Sequence, residues 1–197
     1  MIGLLGGVAS GKSAVARLFE EAGAHVLNAD RMAQAILDQP EMVAQVEERL
    51  GPGLAGPEGR INRKLLAQKV FQSEEARRTL EALIHPLVLA RIQEELTRLG
   101  KGPNLVVLDV PLLLETGLER ECDHLVFVET SEEEREKRAL HRGWSPGERS
   151  RREKTQLPLE TKRTKADYIL NNSGSLDETR KQVLDLLGRW GLGWLDP

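Results

Sequence analysis

Residues 6–13, Gly6-Gly7-Val8-Ala9-Ser10-Gly11-Lys12-Ser13, fit the pattern G-x-x-x-x-G-K-[ST]. They stand between a short apolar run, Ile2 to Leu5, and a segment with Val15, Leu18, Phe19 and Ala22 at helical spacing. A strand that enters a helix through a glycine-rich turn belongs to a sheet whose strands are parallel and whose faces are covered by helices. Further short runs support that reading: His25 to Asn28, Leu105-Val106-Val107-Leu108-Asp109, Leu125-Val126-Phe127-Val128 and Tyr168-Ile169-Leu170. The strongest of them are continuously apolar, the pattern of strands buried on both faces. The expected fold is α/β, with a parallel five-stranded sheet flanked by helices.

Arg31 to Gly100 contains no comparable strand; its mixed apolar and charged residues read as helices, broken at Gly51-Pro52-Gly53-Leu54-Ala55-Gly56-Pro57. Glu132 to Lys165 is rich in arginine and glutamate and poor in large apolar residues, so it is expected to bury little and to serve as a lid. Ser131 with Glu134, and Ser175 with Glu178, have capping-box spacing and mark helix starts. The expected organisation is a nucleotide-binding core from residues 1–30, 101–130 and 166–197, a helical insertion at 31–100 and a lid at 131–165.

Composition narrows the class. A chain of 197 residues buries roughly 70% of its unfolded surface and needs no staple. With 28 basic and 31 acidic residues the net charge is −3, which lacks the basic footprint of a nucleic-acid binder. Cys122, the one cysteine, has Glu121 and Asp123 beside it and reads as an inert thiol in a reducing compartment. No apolar run approaches membrane-spanning length, so a cytoplasmic location without membrane partners is expected. The histidines have no metal-ligand spacing. Trp190 and Trp194, in a glycine-rich tail, read as packing anchors.

The glycine-rich pattern carries the chemistry. Successive backbone N–H groups of Gly7, Val8, Ala9, Ser10 and Gly11 can form an anion nest at a helix N-terminus. Lys12 can reach β and γ phosphates, and the Ser13 hydroxyl can bind Mg²⁺. Asp109 ends the third strand run, where open α/β sheets bind ligands, and can help to hold the metal through water; its bland reading is a loop or capping carboxylate. Asp30 follows the second strand and reads equally as a general base for an attacking hydroxyl or as the N-cap of a helix from Arg31 to Leu37. Arg138 and Arg142, at i and i+4, can present two guanidinium groups to a triphosphate from one side of a helix. Further basic residues, Arg149, Arg151, Arg152, Lys162 and Arg163, read as lid charge or as a solvated face paired with Glu132, Glu133, Glu134 and Glu136. His85-Pro86 interrupts a helical pattern, with the proline expected to start a new helix.

Taken in order, these residues resemble the dephospho-coenzyme A kinases, which phosphorylate the ribose 3′-hydroxyl of dephospho-CoA with ATP. The resemblance spans nearly the whole chain. It rests on residues 6–13, Asn28-Ala29-Asp30, Ile84-His85-Pro86-Leu87, Asp109-Val110-Pro111-Leu112-Leu113-Leu114-Glu115, Arg138 with Arg142, Gln156, Lys162, Ala166-Asp167 and Asn172-Ser173-Gly174. It implies a phosphate-loop kinase-like fold, with ATP as co-substrate and Mg²⁺. It implies that residues 7–14, including Ala14, together with Asn172 of an adenine loop, bind ATP. Asp30 becomes the base, His85 and its helices the substrate domain, Lys162 a substrate contact, and Arg138 and Arg142 lid residues. Three positions depart from the family pattern: Asn28 replaces an aspartate, Ala9 a loop glycine, and Ala14 a frequent threonine. Ala9 is expected to keep the loop only with a negative φ.

Two other readings stay open from the residues alone. A nucleoside or nucleotide kinase shares the loop, the strand-end acid and the arginine pair, and differs in its acceptor. A GTPase-type switch that binds protein partners is suggested by Thr164-Lys165-Ala166-Asp167, although that motif precedes a strand and no D-x-x-G follows Asp109.

Overall fold

Five strands, all paired in parallel, form one sheet in the order β2-β3-β1-β4-β5. They are β1 (Ile2–Gly6), β2 (His25–Asn28), β3 (Val106–Asp109), β4 (His124–Glu129) and β5 (Tyr168–Asn171). The computed structural model describes residues 1–100 and 105–192. One compact unit comprises Met1–Asn28 with the described residues after Gly100, and a second is Ala29–Gly100. No helix among the described residues is long and apolar enough to cross a membrane.

In the first unit, Ile2, Leu4, Val107, Val126, Val128 and Leu170 of the sheet pack with Val15, Leu18 and Phe19 of α1 (Lys12–Glu21). Val183, Leu186 and Leu187 of α9 (Leu176–Arg189) complete this core. Ser175 caps α9 with a full capping box. At α6 (Glu132–His141) the box is half formed: the Ser131 hydroxyl accepts the Glu134 N–H, while the Ser131 N–H donates to the Ser173 hydroxyl at 3.1 Å. Trp190 is an anchor as expected, stacked on His124 with centroids 4.1 Å apart and packed against the core. Trp194 lies outside the described residues. Burial pushes the Cys122 thiol up to about 12, with Asp123, Glu119 and Glu121 adding to the effect and the N-terminal ammonium opposing it. The thiol is protonated at neutral pH.

The second unit is helical: α2 (Ala29–Leu37), α3 (Pro40–Leu50), α4 (Arg63–Gln72) and α5 (Glu74–Leu99), with the first three each packed on α5. Contrary to the expectation that Pro86 starts a new helix, α5 runs through it as one helix of 26 residues. Proline forfeits one intrahelical bond. Ile84, Val88, Ile92 and Leu96 repeat every four residues and are all buried, so packing on both sides of Pro86 outweighs that loss. The glycine-proline stretch between α3 and α4 is held by one carboxylate, since Glu47 Oε1 accepts the N–H groups of Gly53, Leu54 and Ala55 at 2.9, 2.9 and 3.0 Å.

Those N–H groups, Ala55 foremost, hold the Glu47 carboxyl below the ordinary carboxylate range. A depressed carboxyl contributes stability above its unfolded pKa, and the contribution fades as pH falls through the folded value. Glu47→Gln should therefore lower the melting temperature at pH 7, with the gap to the parent narrowing below about pH 4. Thermal melts across that range would refute the assignment if the gap stayed constant.

Candidate active site

The loop after β1 is anchored through one peptide carbonyl. Ser10 C=O accepts hydrogen bonds from Thr130 Oγ1 at 2.8 Å, Asn172 Nδ2 at 2.8 Å and Arg138 Nη1 at 3.0 Å. The donors come from the end of β4, the end of β5 and the middle of α6. They are themselves fixed: Arg138 Nη2 donates to Asn172 C=O at 2.7 Å, and Thr179 Oγ1 donates to Asn172 Oδ1 at 3.0 Å. A trans peptide is planar, so turning this carbonyl toward the sheet edge turns the Gly11 N–H the opposite way, toward the mouth of the loop. The Ser10 N–H donates to Gly7 C=O at 3.1 Å and closes the turn, and the Val8 N–H donates to Glu153 Oε1 at 3.3 Å, so these two amides, expected in the anion nest, are engaged within the protein.

Ala9 corrects the expectation of a negative φ: it has φ +63°, the one described non-glycine residue in the left-handed region. That conformation costs an alanine roughly 1–2 kcal/mol. The loop enforces it through the bonds on Ser10. Gly11, at φ +89°, has no such latitude: a Cβ there would meet Asn172 Nδ2 at 2.4 Å and Arg138 Nη1 at 2.9 Å. It immediately precedes α1, so the loop delivers its amides to a helix N-terminus, which favours anions. Lys12 is half-buried on the first turn of α1, and Ser13 and Ala14 are exposed beside it.

At the next strand ends, Asn28 pairs in register with Asp109, and Asn28 Nδ2 donates to Asp109 Oδ2 at 2.6 Å. Asp109 is 3% exposed. The amide at position 28 gives this buried carboxylate a donor, where an aspartate would set two carboxylates against each other. For Mg²⁺, Ser13 and Asp109 supply hard oxygens, and no cluster of three ligating side chains occurs among the described residues. Few protein oxygens, with the remaining ligands from water and phosphate, fit a cation that arrives with a nucleotide.

Asp30 is exposed in the first turn of α2, which begins at Ala29, so it is not the N-cap that the bland reading required. His85 is exposed on α5 in the same unit. Arg142 is exposed at the end of α6 and contributes no side-chain bond to the loop. Arg138 and Asn172 therefore meet at the loop backbone, and Arg142 does not join them there.

The charged segment buries charge in place of apolar groups. Arg149, 4% exposed on α7 (Glu148–Glu153), binds Glu132, Glu136 and Glu153 at 2.8, 2.7 and 2.8 Å. Burial opposes its charge, and the carboxylates of Glu136 and Glu132 outweigh that to raise its pKa. Arg152 pairs with Glu148 at 2.7 Å and lies over the Trp144 ring. Lys162, 1% exposed on α8 (Leu159–Thr164), binds Glu115 at 3.0 Å and Gln156 at 2.9 Å. Burial raises the Glu115 carboxyl, but the Leu157 N–H and Lys162 lower it further, for a net depression. Thr130, Thr179 and Glu153 carry the loop and were missed in the sequence. Only Thr130, directly after a strand run, had a signal: it falls on the ligand-binding edge of the sheet.

A family model described as dephospho-CoA kinase matches residues 1–178. A dephospho-CoA kinase from Halalkalibacterium halodurans is 39% identical over 194 residues, covering 96% of each chain. One from Aquifex aeolicus is 40% identical over 183 residues, covering 92% of this chain and 93% of that one. Among solved structures, a Thermus thermophilus protein superposes with a TM-score of 0.74 at 36% identity, over 95% of this chain and 96% of its own. Dephospho-CoA kinase from Campylobacter jejuni gives 0.71 at 28% identity, over 96% of each chain.

Asn28→Asp should place two carboxyls within hydrogen-bond reach at the strand ends and raise the pKa of one. A raised carboxyl is stabilising while protonated and costs stability above its folded pKa. The variant's loss of melting temperature should thus be larger at pH 8 than at pH 5, and equal losses in melts at both pH values would refute the pairing.

Proposed function

The chain belongs to the dephospho-CoA kinase family, and we propose that it transfers the γ-phosphoryl group of ATP to the ribose 3′-hydroxyl of dephospho-CoA, completing coenzyme A. The observation that carries this reading is the glycine-rich loop with its Ser10 carbonyl pinned to the sheet edge, which turns the Gly11 N–H toward the mouth of the loop at the N-terminus of α1, where an anion is favoured. The ATP phosphates lie along residues 7–14, with Lys12 offsetting the charge on the β and γ groups. Ser13, directly, and Asp109, through water, would hold Mg²⁺, which when bound would supply neutralisation of charge on the phosphoryl oxygens.

Asp30 accepts the proton of the attacking hydroxyl, a role supported by its exposure and by the family resemblance at Asn28-Ala29-Asp30. Ala29–Gly100, with His85, receives dephospho-CoA. Residues 131–165 act as a lid that excludes water, so that the alcohol and not water takes the phosphoryl group. Arg142, exposed at the end of α6, is available to the moving phosphoryl group, and Arg138 acts from its bonds to the loop and to Asn172 of the adenine loop. Lys162, the substrate contact that the resemblance implies, is 1% exposed and held by Glu115 and Gln156, so its part toward substrate is to position that cluster. A GTPase switch is disfavoured, because Asp167 precedes β5 and its Oδ2 accepts the Leu125 N–H at 2.7 Å, engaged in sheet structure at the edge opposite the loop.

ADP release should be stimulated by dephospho-CoA and not by adenosine or nucleoside monophosphates; stimulation by the latter alone would assign a nucleoside or nucleotide kinase. Asp30→Asn should lower kcat by roughly 10² or more with ATP affinity little changed. Lys12→Ala should abolish turnover and keep a cooperative melt. Full turnover in the first variant, or loss of folding in the second, would remove the corresponding role.

A further inference from the structure

Glu153, the last residue of α7, touches the phosphate loop and has no part in the mechanism above. Its Oε1 accepts the Val8 N–H at 3.3 Å and pairs with Arg135 Nη1, and its Oε2 accepts from Arg149 Nη1 at 2.8 Å. Both arginines are buried, at 6% and 4% exposure, and grip from two sides a carboxylate that is itself 21% exposed. Gly7 makes the approach possible: a Cβ there would lie 2.7 Å from Arg135 Nη1 and 2.7 Å from Glu153 Oε1.

We propose that Glu153 is a positioning residue that fixes the first peptide of the phosphate loop in a nucleotide-ready orientation. The inference rests on the reading of residues 6–13 as the ATP-phosphate site. The Gly7 carbonyl and the Val8 N–H belong to one planar peptide and point in opposite directions. The carbonyl accepts the Ser10 N–H inside the turn, and the N–H is taken by Glu153, so both ends of that plane are held. The Ser10 carbonyl cage fixes the peptide three residues later. A bare carboxylate beside a triphosphate site would repel the ligand, and the two guanidinium groups on Glu153 offset that charge. A loop set in advance gives up less conformational freedom when nucleotide binds.

Glu153→Gln keeps the side-chain volume, but a carboxamide cannot hold two guanidinium groups. The expected outcome is a KM for ATP raised about tenfold, with the KM for dephospho-CoA within about twofold of the parent. Amide hydrogen exchange of residues 7–11 in the nucleotide-free enzyme should quicken. Glu153→Asp, whose carboxylate still serves the arginines but is drawn back from Val8, should move ATP KM and loop exchange in the same direction with a smaller loss of melting temperature, and it decides the matter if Glu153→Gln does not fold. Glu132→Gln, which removes an Arg149 partner away from the loop, should leave both loop readouts unchanged. A lowered melting temperature with parental ATP KM and parental loop exchange would make Glu153 merely structural and overturn the proposal. If ATP fails to protect the loop amides in the parent enzyme, the assignment of the loop itself fails, a result distinguishable from the first.

Discussion

Three side chains from three elements converge on the carbonyl of Ser10, and the geometry of the glycine-rich loop depends on that convergence. A carbonyl oxygen has two lone pairs, so three donors within 3.0 Å crowd its capacity and leave the peptide no second orientation. The strain at Ala9 and the demand for glycine at position 11 both follow from it. Holding the loop in one conformation costs the fold a left-handed alanine and fixes the direction of the Gly11 N–H at the N-terminus of α1.

The helices between β4 and β5 use charge where other segments use apolar packing. Arg149 joins α7 to α6 through Glu132 and Glu136 and pairs with Glu153 on its own helix, while Lys162 joins α8 to the turn after β3 through Glu115 and to the segment between α7 and α8 through Gln156. Removing one partner from a buried pair strands the other, a loss of roughly 3–5 kcal/mol. Such clusters depend on direction and hold one arrangement, whereas apolar contacts tolerate sliding.

Much of the fold was legible in the amino-acid sequence. The five strand runs, the parallel arrangement and the helical character of residues 31–100 follow from unbroken apolar runs, helical spacing and turn residues, which are local properties. The glycine-rich motif proposed to bind phosphate was legible for the same reason: its glycines, Lys12 and Ser13 form a pattern of spacing along eight consecutive residues. Pro86 was misread because the preference against proline inside a helix is local, while the buried row Ile84, Val88, Ile92 and Leu96 that overrides it belongs to tertiary packing. The Ala9 expectation failed similarly: intrinsic preference favours negative φ, and the bonds that reverse it come from residues 120 and more positions away along the chain.

The amino-acid sequence by itself determined the fold class, the loop that can seat a polyphosphate and the order of residues that identifies the family. Each of these is written in near-neighbour spacing and burial pattern. Tertiary structure alone decided that Arg138 and Asn172 bind the loop backbone, that Asn28 supplies a donor to Asp109, and that the arginines of α6 and α7 close around glutamates. A charged side chain's partner depends on which elements the chain folds together. Composition can therefore state that arginines and glutamates are plentiful, and only the packed structure states which of them meet.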